Sequence, residues 1–245
     1  MNVAIDIGNT RIKVGVFEKK RLWRYFDFDT LWQLQDWLKA QAHIQHLIVA
    51  SVGQYGLENL YTAHVEGLKM QLSHESDLPI HITYRTPHTL GVDRIAAAAA
   101  AHTLFPARPV LVVDIGTCIT YDLVKPTGEY PGGIISPGVR MRLRAMHAFT
   151  ARLPRLEWSP AEELPALIGR STTEAMKTGA VQGVLGEISF FAESFAKEYP
   201  NLQIILCGGD ALFFKKQLKF HTFAEPKLVL IGLNRILDYN AEKHT

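Results

Sequence analysis

The chain has 245 residues, 47% hydrophobic and 20% charged, the composition of an ordinary globular protein with one large domain or two moderate lobes, which excludes a disordered polymer. Its formal charge of +2, with acidic and basic residues interspersed, leaves no broad basic surface for nucleic acid or an anionic membrane. Met1 to Asp6 lacks a basic stretch and meets a carboxylate too early for a secretory signal, and charge, Gly or Pro breaks every apolar run before it could span a bilayer, so a cytoplasmic location is expected.

Val3 and Ile5, then Ile12, Val14 and Val16, alternate as two antiparallel strands joined at Gly8-Asn9, and residues 21–28 add a third. Thr30 reads as the N-cap of a helix carrying Leu31, Leu34, Trp37 and Leu38. A strand at 47–50 follows, then a helix predicted over 57–72 and a short strand near 80–84. The Ala-rich run from Ile95 to Ala101, with Pro106 beyond it, predicts a helix over 92–104.

The pattern then restarts. A buried strand at 109–114 leads to strands at 119–124 and near 133–136 and to helices over 140–149 and 172–199. A strand at 203–207, a helix after Gly209, a strand at 228–231 and a terminal helix complete the chain. Three strands, helix, strand, helix, strand thus occurs twice. Gly179 and Gly183, one turn apart, would let a long helix pack closely on a neighbour, in this chain or in a dimer. Cys118 and Cys207 have neither metal-ligand nor disulfide spacing and read as buried, reduced thiols.

Each half opens on an Asp-x-Gly turn after a buried strand. The first runs Asp6-Ile7-Gly8-Asn9-Thr10-Arg11-Ile12-Lys13, the second Asp114-Ile115-Gly116-Thr117-Cys118-Ile119-Thr120, 108 residues further on. Against a nucleotide, Gly8 allows close backbone approach to phosphate. Asn9, Thr10 and backbone N–H groups donate, Lys13 adds charge, and Asp6 suits a hydrated Mg²⁺. The same letters also suit a plain β-hairpin whose Gly-Asn turn takes positive φ. No Walker-type loop and no Gly-x-Gly-x-x-Gly between strand and helix is present.

Gly208-Gly209-Asp210, between a strand and a helix, fits either backbone approaching a flat base or a turn capped by Asp210. The stretch from Tyr84 to Arg94 leads into the Ala-rich helix and sets Asp93 and Arg94 at its N-terminus, where anions are favoured. Asp93 is the best-placed general base for an alcohol, and Arg94 could take a carboxylate. A helix cap and a surface charge explain the same two residues.

The paired hairpins resemble the sugar kinase and actin-like ATPase superfamily. That implies an α/β fold of two related actin-like, ribonuclease H-like lobes, each a mixed five-stranded sheet flanked by helices, with the active site in the cleft between them. The lobes are expected at 1–108 and 109–245, the last helix returning toward the first. Taken together, Asp-x-Gly-Asn-Thr, Gly-x-Asp-Arg, Asp-x-Gly-Thr, Gly-Gly-x-Ile-x-Pro-Gly and Gly-Gly-Asp over residues 3–233 resemble the type III pantothenate kinase family. This implies transfer of the ATP γ-phosphate to the primary hydroxyl of pantothenate, the first step toward coenzyme A, by a homodimer using Mg²⁺ and K⁺ or NH₄⁺.

Position by position, the resemblance makes Asp6, Ile7, Gly8, Asn9, Thr10, Arg11, Ile12, Lys13 and Thr117 the ATP segment and Asp93 the proton acceptor. Tyr84, Gly91, Val92, Asp93 and Arg94 become substrate contacts. Asp114 is then the ligand of the monovalent cation, and Thr172 reaches pantothenate from the dimer partner. The chain departs from the family at Cys118, where Ala is common, at Ser171 for Asn, and at Thr86 before Pro87. A kinase of another hydroxylated metabolite, or a non-catalytic accessory protein on this fold, are the alternatives.

Overall fold

The computed structural model describes residues 1–8, 11–51, 57–60 and 64–243. The chain divides into two compact units, Met1–Ala107 with Val124–Gly132 and Lys227–Thr245, and Arg108–Leu123 with Gly133–Pro226.

The first unit begins with β1 (Asn2–Ile7), β2 (Ile12–Glu18) and β3 (Arg21–Phe28), an antiparallel run. Helix α1 (Leu31–Lys39) starts with a reciprocal cap, the Thr30 hydroxyl accepting from Gln33 N–H and the Gln33 side chain from Thr30 N–H, and buries Leu34 and Leu38. Strands β4 (His46–Ser51) and β5 (Lys69–Gln71) then add parallel to β1 and to each other. The short β6 (His81–Ile82) precedes α2 (Val92–Leu104), whose Ala run is buried from Ile95 to Ala101.

The second unit repeats the scheme with β7 (Val110–Ile115), β8 (Cys118–Val124) and, after the short β9 (Glu129–Tyr130) that pairs with β6, β10 (Gly132–Pro137). Helices α3 (Val139–Ala148) and α4 (Thr172–Glu198), strand β11 (Gln203–Cys207), α5 (Ala211–Gln217) and β12 (Phe223–Ala224) follow, and the terminal α6 (Leu228–Lys243) belongs to the first unit. The sheets order as β3-β2-β1-β4-β5 and β10-β8-β7-β11-β12, the same arrangement built twice. Each unit has its own apolar core, one around Val3, Ile5, Leu47 and Val49, the other around Leu111, Val113, Val184 and Leu206.

Three expectations need correction. Within 57–72, Leu57–Leu60 is a single 3-10 turn and Lys69–Gln71 a strand, while 61–63 lie outside the described residues. Gly67 interrupts the helical spacing: its N–H donates to Gln45 O at 2.8 Å, and a Cβ there would lie 2.7 Å from the His46 ring, so the backbone is drawn to the sheet edge.

The apolar run 228–231 opens α6 rather than forming a strand, because a short apolar run does not distinguish a strand from a buried helix. Burial continues through Leu233, Ile236 and Leu237 at helical spacing. Gly232 admits the α2 backbone, since its Cβ would stand 1.7 Å from Ala96 O. Cys118 is exposed, at the start of β8 beside the second turn, while Cys207 is buried. In α4, among the described residues outside the helix's own backbone, nothing lies within 4 Å of a Cβ at Gly179, and Gly183 meets only Arg142 Nη1 at 3.3 Å. Among the described residues no helix is long and apolar enough to cross a membrane.

Candidate active site

In the first unit the turn after β1 is anchored by the sheet's middle strand. Asp6, 6% exposed, stands in register with Lys13 on β2 and Ala50 on β4, and Lys13 in turn with Asp27 on β3. Lys13 Nζ lies 4.0 Å from Asp6 Oδ2, so a lysine sits in a row between two carboxylates. Asp27 also accepts from Tyr25 Oη; burial, and then this bond, push the Tyr25 phenol up. Gly8 N–H donates to Arg11 O at 3.1 Å, and Gly8 has no positive φ, so its use is close approach rather than handedness. Arg11 pairs with Asp29 at 2.6 Å. Ile7 and Ile12 are buried in the core and present only backbone to a ligand. Asn9 and Thr10 lie outside the described residues.

Asp93 occupies the first turn of α2, half buried. Its Oδ1 accepts from Arg94 N–H at 2.9 Å and comes within 2.4 Å of where a Gly91 Cβ would be. Gly91 is therefore required for this carboxylate position. Arg94 is 8% exposed, which removes the surface-charge explanation of it. Tyr84 packs against Gly132, whose φ is +119° and whose Cβ would stand 2.4 Å from Tyr84 Cδ2. The Thr86 hydroxyl accepts from Thr89 Oγ1 at 2.9 Å and is engaged within its own turn.

In the second unit three glycine contacts hold the Asp114 turn. Gly116 N–H donates to Cys118 O at 3.0 Å, and Gly138, at the head of α3, donates its N–H to Thr117 O at 3.0 Å. A Cβ on Gly138 would lie 2.2 Å from Gly116 O. Gly208, with φ +86°, closes the third side: its Cβ would stand 2.4 Å from Asp114 Oδ1 and 2.5 Å from Ile115 O. Among the described residues nothing beyond its chain neighbours lies within 4 Å of a Cβ at Gly209, which opens on a cavity of about 590 Å³ lined by Pro160, Leu164, Leu212, Phe213 and Lys216.

Asp210 stands at the N-cap position of α5, but its side chain makes no capping bond. Its carboxylate, 2% exposed, takes a two-pronged bond from Arg140 at 3.0 and 3.1 Å, and the guanidinium lies 5.3 Å from the centre of the Trp158 ring. Burial raises the Asp210 carboxyl and Arg140 opposes it. Thr172 is exposed at the first position of α4, where Ser171 is a working cap, accepting from Glu174 N–H at 3.2 Å.

Asp6, Lys13, Tyr84 and Gly91–Arg94 thus belong to the first unit, and Asp114, Thr117 and Thr172 to the second. Sequence reasoning missed the Arg140–Asp210 fork, the buried Asp122 and the Glu187 hub. Glu187 on α4 accepts from Tyr121, Ser136 and Arg142; burial would raise its carboxyl, but these bonds outweigh it and hold the group low. The available signal was local: a carboxylate after Gly-Gly ahead of an apolar helix, and a Glu in mid-helix whose sequence neighbours are Leu, Gly and Ile.

The family model described as Type III pantothenate kinase matches residues 2–194. The type III pantothenate kinase of Phocaeicola vulgatus is 42% identical over 98% of this chain and 99% of its own length. Among solved structures, a protein described as a Baf family transcriptional activator from Campylobacter jejuni superposes with a TM-score of 0.64 at 22% identity, covering 98% of this chain and 99% of its own. One described as a 2-dehydro-3-deoxygalactonokinase from Sinorhizobium meliloti does so at 0.59 and 12% identity, with the same coverage. The two structures speak for the fold alone. With a relative this close over nearly its whole length, and the family model spanning both Asp-x-Gly turns, the chain belongs to the type III pantothenate kinase family.

Proposed function

We propose that this protein transfers the γ-phosphate of ATP to the primary hydroxyl of pantothenate, giving 4′-phosphopantothenate and ADP, the first step of coenzyme A synthesis. It acts in the cytoplasm as a homodimer, with Mg²⁺ and K⁺ or NH₄⁺. The observation that carries this reading is the Gly91–Asp93–Arg94 arrangement, a carboxylate turned back over a helix start beside a buried guanidinium. Asp93 accepts the hydroxyl proton as the oxygen attacks phosphorus. Arg94 supplies the forked donors that match the carboxylate of pantothenate, and Tyr84, braced by Gly132, is its neighbour in the substrate segment.

Phosphoryl transfer asks the protein mainly for alignment and charge neutralisation. Lys13 and the backbone of the turn from Ile7 to Ile12 receive the phosphates, with Asn9, Thr10 and Thr117 as further donors. Mg²⁺ takes carboxylate oxygen together with phosphate and water, and Asp6 offers that oxygen. When bound, Mg²⁺ neutralises phosphate charge. Asp114 fits a monovalent cation: its Oδ1 and Ile115 O converge on the side Gly208 leaves without a Cβ. The cavity beside Gly209 would take the nucleoside end. Thr172 reaches the substrate of the partner subunit.

The test is ADP release with pantothenate, with and without K⁺ or NH₄⁺, beside a panel of other alcohols. Pantothenate-dependent turnover activated by the cation is expected. Equal turnover with other alcohols would overturn the substrate assignment, and cation independence would overturn that of Asp114.

A further inference from the structure

At the other end of α2 from Asp93 the first unit contains a cavity of about 510 Å³, lined by His81, His102, Thr103, Thr127, Arg235 and Tyr239 together with an apolar wall around Ile80. Nine helical steps lead from Asp93 to His102, about 14 Å at 1.5 Å per residue, so this is not the candidate active site. Its volume lies in the range that takes a small metabolite, about 300–1,000 Å³.

The cavity is rich in donors. Arg235 Nε is a buried donor without a hydrogen-bond partner, and His102 Nδ1, a donor or an acceptor according to tautomer, is likewise buried without one. A buried donor without an acceptor costs about 1–3 kcal/mol. Native structures keep few of them, and a bound ion or ligand is one reason to keep one. The carboxylates nearby are engaged elsewhere. Asp238, one turn along α6, feels the charge of Arg235 but accepts from Asn2 at 2.8 Å and Asn234 at 3.3 Å. Glu129 accepts from Lys125 at 3.0 Å and Thr83 at 3.1 Å, and Asp77 pairs with Lys243 at 2.9 Å. Among the described residues none of these forms an ion pair with Arg235. Gly128, with φ +80°, lays the turn before β9 against the His102 ring, 3.1 Å from Nε2 to where its Cβ would be. That ring is therefore held at the cavity rather than free to leave it.

We propose that this cavity binds a small organic oxyanion, a carboxylate- or phosphate-bearing metabolite, with Arg235 as its principal anchor and His102 and His81 as additional donors. The planar guanidinium matches either group with two parallel bonds. The apolar wall around Ile80 and Tyr239 takes the carbon skeleton.

The test is a titration of histidine-labelled full-length protein with inorganic phosphate and, separately, succinate, in Tris at fixed neutral pH and constant ionic strength. The ring signals of His102 and His81 are assigned with His102→Asn and His81→Asn. At least one anion is expected to move the His102 signal saturably, with a dissociation constant of about 1–10 mM, and Arg235→Gln to weaken it about tenfold, or 1.4 kcal/mol. Saturation by phosphate alone identifies a phosphorylated ligand, by succinate alone a carboxylate. Should Arg235→Gln lower the melting temperature, Arg235→Lys, which keeps the charge and loses the fork, carries the test with weakening of about threefold or more. No saturable shift with either anion, or shifts unchanged in the well-folded Arg235 variant, would overturn the proposal.

Discussion

Replacing Gly208 by alanine separates the two uses of adjacent glycines in one turn. At φ +86° an L-residue carries strain of about 1–2 kcal/mol. The added Cβ would also stand 2.4 Å from Asp114 Oδ1 and 2.5 Å from Ile115 O. The carboxylate can rotate away, but Ile115 O belongs to β7 and already accepts from Asp210 N–H at 3.0 Å, so the turn itself must shift. Overpacking of that kind costs about 1–3 kcal/mol. The total is about 3 kcal/mol, or a fall in melting temperature of about 6–12 °C for a chain of this size. Because the contact displaces Asp114, the K⁺ or NH₄⁺ concentration for half-maximal activity should rise as well. Gly209→Ala is the internal control: nothing lies within 4 Å of its Cβ, and its stability should stay within about 0.5 kcal/mol of the parent. Calorimetry and a cation titration of the ADP-release rate read both effects. If the two variants melt alike, the steric reasoning fails; if Gly208→Ala melts low but keeps its cation response, the role of Asp114 fails.

Asp93→Asn keeps an Oδ1 that can accept from Arg94 N–H, so its melting temperature should not move, whereas kcat should fall about 10²- to 10⁴-fold; a fall of less than tenfold in steady-state assays would remove Asp93 as the base. Glu187 is held below its ordinary value in the fold, so it stabilises the protein above the unfolded value, about 4.3, and that stability is lost as pH falls through the lower folded value. Glu187→Gln should therefore cost about 2 kcal/mol at pH 7 through weakened charged hydrogen bonds and flatten the acid limb, as urea midpoints measured against pH would report. Gly232→Ala places a Cβ 1.7 Å from Ala96 O and must part α2 from α6, at about 3 kcal/mol or more, visible as a lower melting temperature together with reduced turnover, since α2 carries Asp93. An unchanged melt would mean the two helices have room the contact denies.

Much of the fold was legible because two local signals repeat. Val3, Ile5, Ile12 and Val14 mark the first hairpin and the unbroken Ala run marks α2, although β1 and the Ala run are buried along their whole length rather than on one face. The misreadings come from residues whose state is decided at a distance. Leu228 to Ile231 has no period of its own, and its helical state shows only in the burial that continues through Leu233, Ile236 and Leu237 and in the approach of α2 at Gly232. Gly67 looks like one weak position in a helix until the His46 edge of β4 claims its backbone. The candidate base was visible at the head of α2, but its fixing by Gly91 was not, because no spacing rule predicts a side chain turning back on the residue two before it. For the same reason the bond of the Asp210 carboxylate to Arg140 was not legible: the partner is 70 residues away, and only the fold brings the two together.

The two Asp-x-Gly turns, alike in letters and in sheet position, differ in what stands seven residues on. After Asp6 that residue is Lys13, in register across the hairpin and 4.0 Å from the carboxylate. After Asp114 it is Tyr121, buried and bonded to Glu187 at 2.8 Å. The first hairpin therefore carries an ammonium beside its carboxylate, and the second has no lysine there. A duplicated hairpin with a carboxylate in both copies and an ammonium in only one cannot serve the same anion in the same way twice. On the proposed function Asp114 serves a cation instead: its Oδ1 and Ile115 O converge on the side that Gly208 leaves without a Cβ, and two such oxygens suit a cation. Introducing the missing charge tests this directly: Cys118→Lys, at an exposed position of the second turn, should replace part of the K⁺ or NH₄⁺ requirement in the ADP-release assay. An undiminished requirement in a variant of normal melting temperature would mean that the cation there acts through coordination geometry and not through charge alone.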